Sequence, residues 1–255
     1  MRLFNSGKTE YNPQGLVLEI ACGIWPAPES DVLLEPDIAR GNTLRKEWPS
    51  RVVIQGDALN LPFRDNAFDY ITCMHLIEHF DHDALQITCS EFPRVAPRGY
   101  IEVPSIYWEL LHNCDKLFFD DHTGFNTHHR QYCFWYEGKL HMINKSDTWS
   151  NEHRILRELF RKILNRAVTG IYIDLFMIGF EWNAKIPIIE HDSLNTIPNE
   201  ILDAIIKRVD EYATTNKRMS PEKQAALLYG RSLIKRLNPI RYLKNGISKI
   251  LKVSI

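Results

Sequence analysis

Five short apolar runs alternate with segments of helical pattern through the first hundred residues of the chain. These runs cover residues 16–20, 31–35, 51–55, 68–74 and 99–103. They are apolar without strict alternation, which is typical of strands that are covered on both faces of a parallel sheet. Right-handed crossovers then bring the carboxyl ends of the strands to one edge, where sheets of this kind bind ligands. We therefore predict an α/β fold with a Rossmann-like, doubly wound and mostly parallel sheet.

The same pattern divides the rest of the chain. Helices are predicted around residues 38–48, 77–80 and 84–92, and residues 105–149 form an insert crowded with aromatic side chains. Within this insert, residues 133–143 predict a hairpin that turns at Glu137-Gly138. The remaining predictions are helices at 151–166, 199–216, 221–237 and 240–253 and a late strand within 180–190. We expect a domain over residues 1–192 and a helical, basic C-terminal extension over residues 193–255.

Composition narrows the class of protein. The chain has 255 residues, 44% hydrophobic and 25% charged, with a formal net charge of −1. This balance is ordinary for a globular protein and gives no global attraction to nucleic acid. Five cysteines without a C-x-x-C pair favour a reduced, cytoplasmic setting over a disulfide framework. The most apolar window, residues 167–180, is shorter than the roughly 20 residues that a membrane span needs.

Small and acidic residues come after the predicted strands where a nucleotide cofactor would bind. Such a cofactor needs a turn that the backbone can approach closely, an acid for its ribose hydroxyls and a group that recognises its base. The turn after the first run supplies the close approach to the backbone. Glu35 is placed to bind the ribose hydroxyls, and Asp57 with the amide of Ala58 is placed to recognise the base. Met74 and His75 come after the fourth run and would lie near the rest of the ligand. The turn consists of Ala21, Cys22 and Gly23.

Four motifs then occur in one order, and together they resemble the class I S-adenosylmethionine-dependent methyltransferase family. Glu19-x-Ala21-x-Gly23 is similar to the family's acidic-x-Gly-x-Gly signature, and GDALNLPFRDNAFDYI resembles its second and third motifs. The HLIEH segment at residues 75–79 is similar to the family's segment after strand four, and the RVAPRGYIE segment at residues 94–102 resembles its strand-five pattern. The resemblance covers about residues 15–104. It implies S-adenosylmethionine as the cofactor, bound by Glu19, the 21–23 turn and the acids named above.

The sequence departs from this family at the first crossover. Gly23 and Glu35 lie twelve positions apart, and Pro26 and Pro28 fall between them. Proline disrupts helix interiors and biases the preceding residue toward extended geometry, so a full helix does not fit here. A loop must then support the ligand in place of helix N-terminal amides.

Histidines supply the candidate catalytic groups. Methyl transfer to an oxygen gains from a base of near-neutral pKa, which histidine provides. His75 and His79 are the leading candidates, and His82, His128 and His129 are further ones. The same HLIEH segment matches the H-x-x-E-H pattern of a zinc hydrolase, with Glu78 as its base. The strand that leads directly into the segment favours the methyltransferase interpretation, and we assign no metal site from the sequence.

The rest of the sequence bears on the acceptor and on other partners of the protein. The aromatic insert would suit a small-molecule or glycan-like acceptor. From Lys217 onward the chain has ten Lys or Arg and one acid, and its last predicted helix has an apolar face compatible with peripheral contact to a membrane. No arginine-rich or aromatic RNA motif accompanies that charge, so we expect no nucleic-acid partner.

The predicted function is O-methylation by a methyltransferase. The alternatives are a catalytically silent methyltransferase-like binding or scaffold subunit and the zinc hydrolase. The oligomeric state stays open.

Overall fold

The computed structural model describes residues 11, 13–112, 129–145, 159 and 173–215. Its central sheet has six strands in the order β3-β2-β1-β4-β5-β8, of which the first five are parallel. The last, β8, runs antiparallel to β5 and places Phe180 opposite Ile101. The strands are β1 Val17–Ile20, β2 Val32–Glu35, β3 Val52–Gln55, β4 Tyr70–Met74, β5 Arg98–Pro104 and β8 Met177–Asn183. The predicted doubly wound, mostly parallel sheet is confirmed.

Helices connect and cover these strands. Asp37 caps the first helix by accepting from the backbone N–H of Arg40 over 2.7 Å, and Asp81 caps the second by accepting from Ala84 over 3.1 Å. The second helix continues past Pro93 to Val95, beyond the predicted end at residue 92. The helices are α1 Ile38–Glu47, α2 His82–Val95, α3 Ile106–His112, α4 Ile173–Phe176 and α5 Asn199–Thr215, with one 3₁₀ turn at Ile77–His79.

A second, three-stranded sheet has the order β6-β7-β9, with strands Gln131–Tyr136, Lys139–Asn144 and Ile188–His191. Its first two strands form the predicted hairpin. Glu137 and Gly138 occupy the turn with φ of 47° and 74°, the pair of left-handed residues that a two-residue hairpin of the right twist requires. Strand β9 then pairs in parallel with β7.

The late strand predicted within residues 180–190 is present as parts of two strands. The segment forms the end of β8 and most of β9, which belong to different sheets. Ala184 breaks the extended backbone with a φ of 56°, and Pro187 has no N–H to donate to a continuing ladder. The chain therefore leaves the central sheet and enters the small one within a few residues.

Two hydrophobic cores hold this arrangement together. One joins the central sheet to the small sheet, because Cys133, Leu140 and Met142 of the hairpin pack with Ile77 and Phe180. The other lies between the small sheet, α3, α4 and α5. The small sheet is thus fixed against the strand ends of the central one, and this contact positions the candidate site.

Several predictions fall outside the described residues. They are the helix at 151–166 apart from residue 159, the helices at 221–237 and 240–253, and the basic face of the tail. In the described part of the chain, no helix is both long and apolar enough to cross a membrane.

Candidate functional site

The turn after β1 leaves open space at the edge of the sheet. Ala21 and Gly23 both have left-handed backbones, with φ of 55° and 66°, and a Cβ added at Gly23 would meet nothing within 4 Å. The backbone N–H of Ala21 donates to the carbonyl of Leu34 over 3.0 Å, which ties the turn to β2. A ligand can therefore approach the backbone closely at Gly23.

Glu19 organises the loop that replaces the first crossover helix. Its Oε2 accepts from the backbone N–H of Ala27 over 2.7 Å and from the hydroxyl of Ser30 over 2.5 Å. Both contacts are buried, so the carboxylate works as an internal brace. The loop also presents two exposed apolar side chains, Ile24 and Trp25, directly after Gly23. The predicted absence of a helix between β1 and β2 is confirmed.

Glu35 ends β2 as predicted and is only 1% exposed. Its Oε1 accepts from the backbone N–H of Asp37 and from Nη1 of Arg40, each over 3.1 Å. Its Oε2 is buried and has no hydrogen-bond partner in the described part of the chain. A buried carboxylate oxygen without a donor is costly, and a ligand hydroxyl would satisfy it.

Asp57 and Ala58 come after β3 at the same edge. Asp57 is exposed, and its Oδ1 accepts from the backbone N–H of Leu59 over 2.9 Å, which fixes a tight turn. Arg94 of α2 holds the rest of this loop by donating to the carbonyls of Leu61 and Phe63. The loop that carries the predicted base-recognising residues is therefore anchored to a helix.

Two predicted cofactor residues direct their side chains into packing. Cys22 packs on the cluster formed by Leu33, Leu44 and Val53, and burial, followed by the charge of Glu19, raises the pKa of its thiol to about 12. Met74 packs against a group of buried tyrosines and Val17. For these residues the backbone remains the part that can contact a ligand.

His75 sits between two carboxyl groups just past β4. Its backbone is left-handed with a φ of 56°, and its N–H donates to the carbonyl of Glu102 over 2.8 Å. Its Nδ1 lies 3.8 Å from Oε1 of Glu78, and its Nε2 lies 3.5 Å from Oε1 of Glu102. The strained backbone at a ligand-binding edge points the imidazole at this acidic pair.

Glu78 is the most unusual side chain of the site. It is fully buried, and neither of its carboxyl oxygens has a hydrogen-bond partner in the described part of the chain. Burial raises its pKa to about 8. Besides His75, it faces His129, whose Nε2 lies 3.8 Å from its Oε1.

The small sheet brings His129 to this position. The backbone N–H of Arg130 donates to the carbonyl of Glu78 over 2.8 Å, which joins the start of β6 to the 3₁₀ turn. The imidazole of His129 packs edge-on against that of His79, with ring centroids 4.6 Å apart. Three residues of the HLIEH segment and one of the insert thus form one cluster.

Glu109 and Lys145 complete the cluster from behind. Nδ1 of His129 lies 2.5 Å from Oε1 of Glu109, and Nζ of Lys145 lies 2.6 Å from Oε2. Burial opposes the ionisation of Glu109, but the hydrogen bond from His129 and the charge of Lys145 outweigh it and lower its pKa to about 2. With Glu109 ionised, Nδ1–H of His129 donates to its Oε1, and Nε2 is the ring nitrogen that faces Glu78.

The candidate catalytic histidines that the structure describes lie in two different places. His75, His79 and His129 meet around Glu78, whereas His82 pairs with Glu190 over 2.8 Å on an exposed surface. His128 lies outside the described residues. The HLIEH segment contains a single 3₁₀ turn after a left-handed His75, so the α-helical spacing behind the zinc-hydrolase alternative does not apply.

Sequence reasoning missed Glu102, Glu109 and Lys145. Glu102 is the one charged residue in the buried part of β5 after Arg98, and a lone charge in a buried run is a signal that could have singled it out. Glu109 and Lys145 gave no such signal, because only the docking of the hairpin brings them to His129.

Residues 34–102 match a protein-family model described as a methyltransferase domain. This stretch is similar to a methyltransferase domain, and we call it the methyltransferase segment. It includes Glu35, Asp57, Ala58, Met74, His75 and His79, but it begins after Glu19 and the 21–23 turn. The predicted family resemblance is confirmed, and the match implies S-adenosylmethionine as the cofactor.

Several solved structures are similar to part of the chain. A protein from Pyrococcus horikoshii OT3 is 23% identical, with 36% of this chain and 47% of that chain covered and a TM-score of 0.32. A SAM-dependent methyltransferase from Thermotoga maritima is 27% identical, with 39% and 48% covered and a TM-score of 0.33. A TehB-like SAM-dependent methyltransferase from Corynebacterium glutamicum is 14% identical, with 36% and 57% covered and a TM-score of 0.32. The chain spans about half the length of these structures. No curated protein sequence matches it.

The residues of the methyltransferase segment and of the turn before it fit this cofactor. The unpartnered Oε2 of Glu35 suits a ribose hydroxyl, and the open space at Gly23 suits a ligand lying across the backbone. When bound, S-adenosylmethionine supplies a methyl group on a sulfonium, ready for in-line displacement. For any such transfer, an acceptor atom must be held in line with that methyl group.

Proposed function

We propose that this chain is an S-adenosylmethionine-dependent methyltransferase that methylates an oxygen of a small-molecule or glycan-like acceptor. The observation that supports cofactor use most directly is Oε2 of Glu35, a buried oxygen without a donor in the described part of the chain. It lies in the segment that matches the methyltransferase domain model. Asp57 and the amide of Ala58 would contact the base, and the Ala21–Gly23 turn the amino-acid end.

His75 is the group best placed to take the acceptor's proton. It comes directly after β4 at the ligand-binding edge, and Glu102 lies 3.5 Å from its Nε2. A carboxylate beside an imidazole stabilises the cation that forms when the imidazole accepts a proton. An oxygen acceptor, which must lose a proton on methylation, uses such a base, whereas a thioether or tertiary amine acceptor does not need one.

The cofactor half of this proposal is tested by calorimetric titration of S-adenosylhomocysteine. We expect binding to the wild type, and about tenfold or greater weakening in Glu35→Gln and Asp57→Ala because each loses a ligand-facing carboxylate. The matched controls are Glu47→Gln in the last turn of α1 and Asp83→Ala in the first turn of α2, both on exposed surface. No binding to the wild type would favour the catalytically silent subunit instead.

The catalytic half is tested with labelled S-adenosylmethionine and a panel of hydroxyl-bearing acceptors, including phenols and sugars. His75→Gln keeps a side chain of similar size but has no basic nitrogen. We expect it to lower kcat by about 10²-fold or more while the affinity for S-adenosylhomocysteine stays within about twofold. An unchanged kcat in His75→Gln would exclude His75 as the base.

A further inference from the structure

The cluster around Glu78 contains more carboxyl and imidazole groups than the proposed methyl transfer needs. One carboxylate and two imidazoles, those of Glu78, His79 and His129, offer ligand atoms that all lie within 4.8 Å of one another. We propose that these three residues form a binding site for a divalent transition-metal ion, with zinc the best match. From the sequence alone, no metal site is assigned to these residues.

Glu78 is in a state that a bound cation would stabilise. A fully buried carboxyl group with neither oxygen hydrogen-bonded in the described part of the chain is expensive, since its desolvation is not compensated. A cation in the cluster removes this cost, because a metal–carboxylate bond replaces the lost hydration. His75 and His129 flank the same oxygen at 3.8 Å each, which is too far for a hydrogen bond.

His129 has the second contact that is typical of a metal-binding histidine. Metal-binding histidines usually donate their other ring N–H to a carboxylate, which fixes the tautomer and the ring orientation. Glu109 does this at Nδ1 of His129, and Lys145 balances the charge of Glu109 from the other side. Nε2 of His129 is then the ligand atom that faces Glu78.

The spacing fits a small ion. Zinc bonds of about 2.0 Å in a tetrahedral site separate the ligand atoms by about 3.3 Å. The 3.8 Å between Nε2 of His129 and Oε1 of Glu78 therefore needs to close by about half an ångström. All three ligand atoms lie within 4.8 Å of one another, so no pair needs to close by more than about 1.5 Å, which side-chain rotations supply. Two imidazoles and one carboxylate suit zinc and other first-row divalent ions rather than magnesium or calcium.

The two imidazoles are partly exposed while Glu78 is buried, so a fourth position would open on the histidine side. Three protein ligands with an open position are the arrangement of catalytic rather than structural zinc. If the proposed methyl transfer holds, an acceptor hydroxyl bound there would lose its proton more readily beside His75. Metal binding itself does not depend on that reaction.

The test is zinc titration of the untagged full-length protein, first treated with a chelator and dialysed, in the absence of S-adenosylmethionine. We expect about one equivalent of Zn²⁺ per chain, and Co²⁺ in its place should give a visible absorption spectrum typical of low coordination. His79→Ala and Glu78→Gln should each bind Zn²⁺ at least about tenfold more weakly, while the control His82→Ala should bind like the wild type.

The proposal is overturned if the chelated wild type takes up no Zn²⁺, or if His79→Ala binds it as tightly as His82→Ala does. Should Glu78→Gln fail to fold, His79→Ala still decides the question, because His79 is partly exposed. Thermal unfolding adds an independent readout, since Zn²⁺ should raise the Tm of the wild type and of His82→Ala but not of His79→Ala. S-adenosylhomocysteine affinity, measured separately, keeps a failure of the metal site distinct from a failure of the cofactor site.

Discussion

Nη1 of Arg40 donates to Oε1 of Glu35 over 3.1 Å, and the two oxygens of this carboxylate consequently have different roles. Oε1 is held by the first turn of α1, which stops the side chain from rotating. Oε2 has no donor among the described residues and remains able to accept from a ligand. A rigid acceptor costs less entropy to engage than a mobile one, so the Arg40 contact prepares the ribose-binding residue of the proposed site.

The buried contact between Ser30 and Glu19, which braces the loop between β1 and β2, leads to the first prediction. Ser30→Ala removes the hydroxyl that donates to Oε2 of Glu19, and a lost buried hydrogen bond costs about 1 kcal/mol of the free energy of unfolding. Because the brace holds the loop after Gly23, we also expect weaker S-adenosylhomocysteine binding. Urea unfolding and calorimetry measure the two effects.

Ser90→Ala is the control for this prediction. Ser90 is exposed on α2, and its hydroxyl donates to the carbonyl of Ile87 within the same helix. This change should alter neither quantity appreciably. Equal behaviour of Ser30→Ala and Ser90→Ala would show that Glu19 does not brace the loop.

Two glycines should respond to alanine with opposite signs. A Cβ at Gly99 would meet the backbone carbonyl oxygen of Ile71 at 2.4 Å and the ring of Trp182 at 2.8 Å. Neither strand can retreat without breaking the β4–β5 pairing, so Gly99→Ala should destabilise the protein by about 1–3 kcal/mol. The midpoint of urea unfolding checks this value.

Gly41 lies within α1, where a Cβ would have ordinary contacts of 3.6 and 3.9 Å. Gly41→Ala should therefore stabilise the protein by about 0.5–1 kcal/mol, since alanine is the better helix former. If both substitutions destabilise the protein equally, the short distances at Gly99 are not the cause of the loss of stability in Gly99→Ala.

A stacked histidine pair in the small sheet predicts a dependence of stability on pH. Nδ1 of His141 lies 2.9 Å from Nε2 of His191, and burial lowers the pKa of both imidazoles. In the unfolded chain these groups take up protons below a pH of about 6.5, while the folded chain resists protonation until a lower pH. Stability should therefore fall as the pH drops below about 6.5 and be unaffected by this pair above it.

Urea midpoints at about pH 8, 6 and 5 bracket this range and measure the effect. His191→Gln removes one of the two titrating groups, so its midpoint should fall less steeply than that of the wild type as the pH is lowered. His82→Gln, which changes an exposed histidine, should follow the wild-type profile. A wild-type profile as shallow as that of His191→Gln would contradict the prediction.

The sequence predicted the central sheet well because its signals are local. The five apolar runs, the short first crossover with Pro26 and Pro28 and the hairpin turn at Glu137-Gly138 each depend on neighbouring residues. The division of residues 180–190 between two sheets depends on a left-handed Ala184, which nothing in the local pattern requires.

Most of the candidate site could be predicted only on the side of the central sheet, although the sequence also named His129 of the insert as a candidate base. Glu35, Asp57 and His75 lie at strand ends, where parallel topology fixes the place of a residue. Partners that come from the second sheet depend on how the two sheets dock, and sequence spacing holds no information about that. The histidine pair of His141 and His191 was missed for the same reason.

The cluster around Glu78 joins segments that are far apart in the sequence, from the turn after β4 to Lys145 at the end of β7. Contacts of such long range carry a loop-closure entropy that must be overcome before they contribute stability. A chain with its central sheet formed and its hairpin undocked would hold Glu78 in water, where the carboxyl group ionises freely. Burial of this one acid therefore opposes the final docking step, and any cation taken up there would favour completion of the fold.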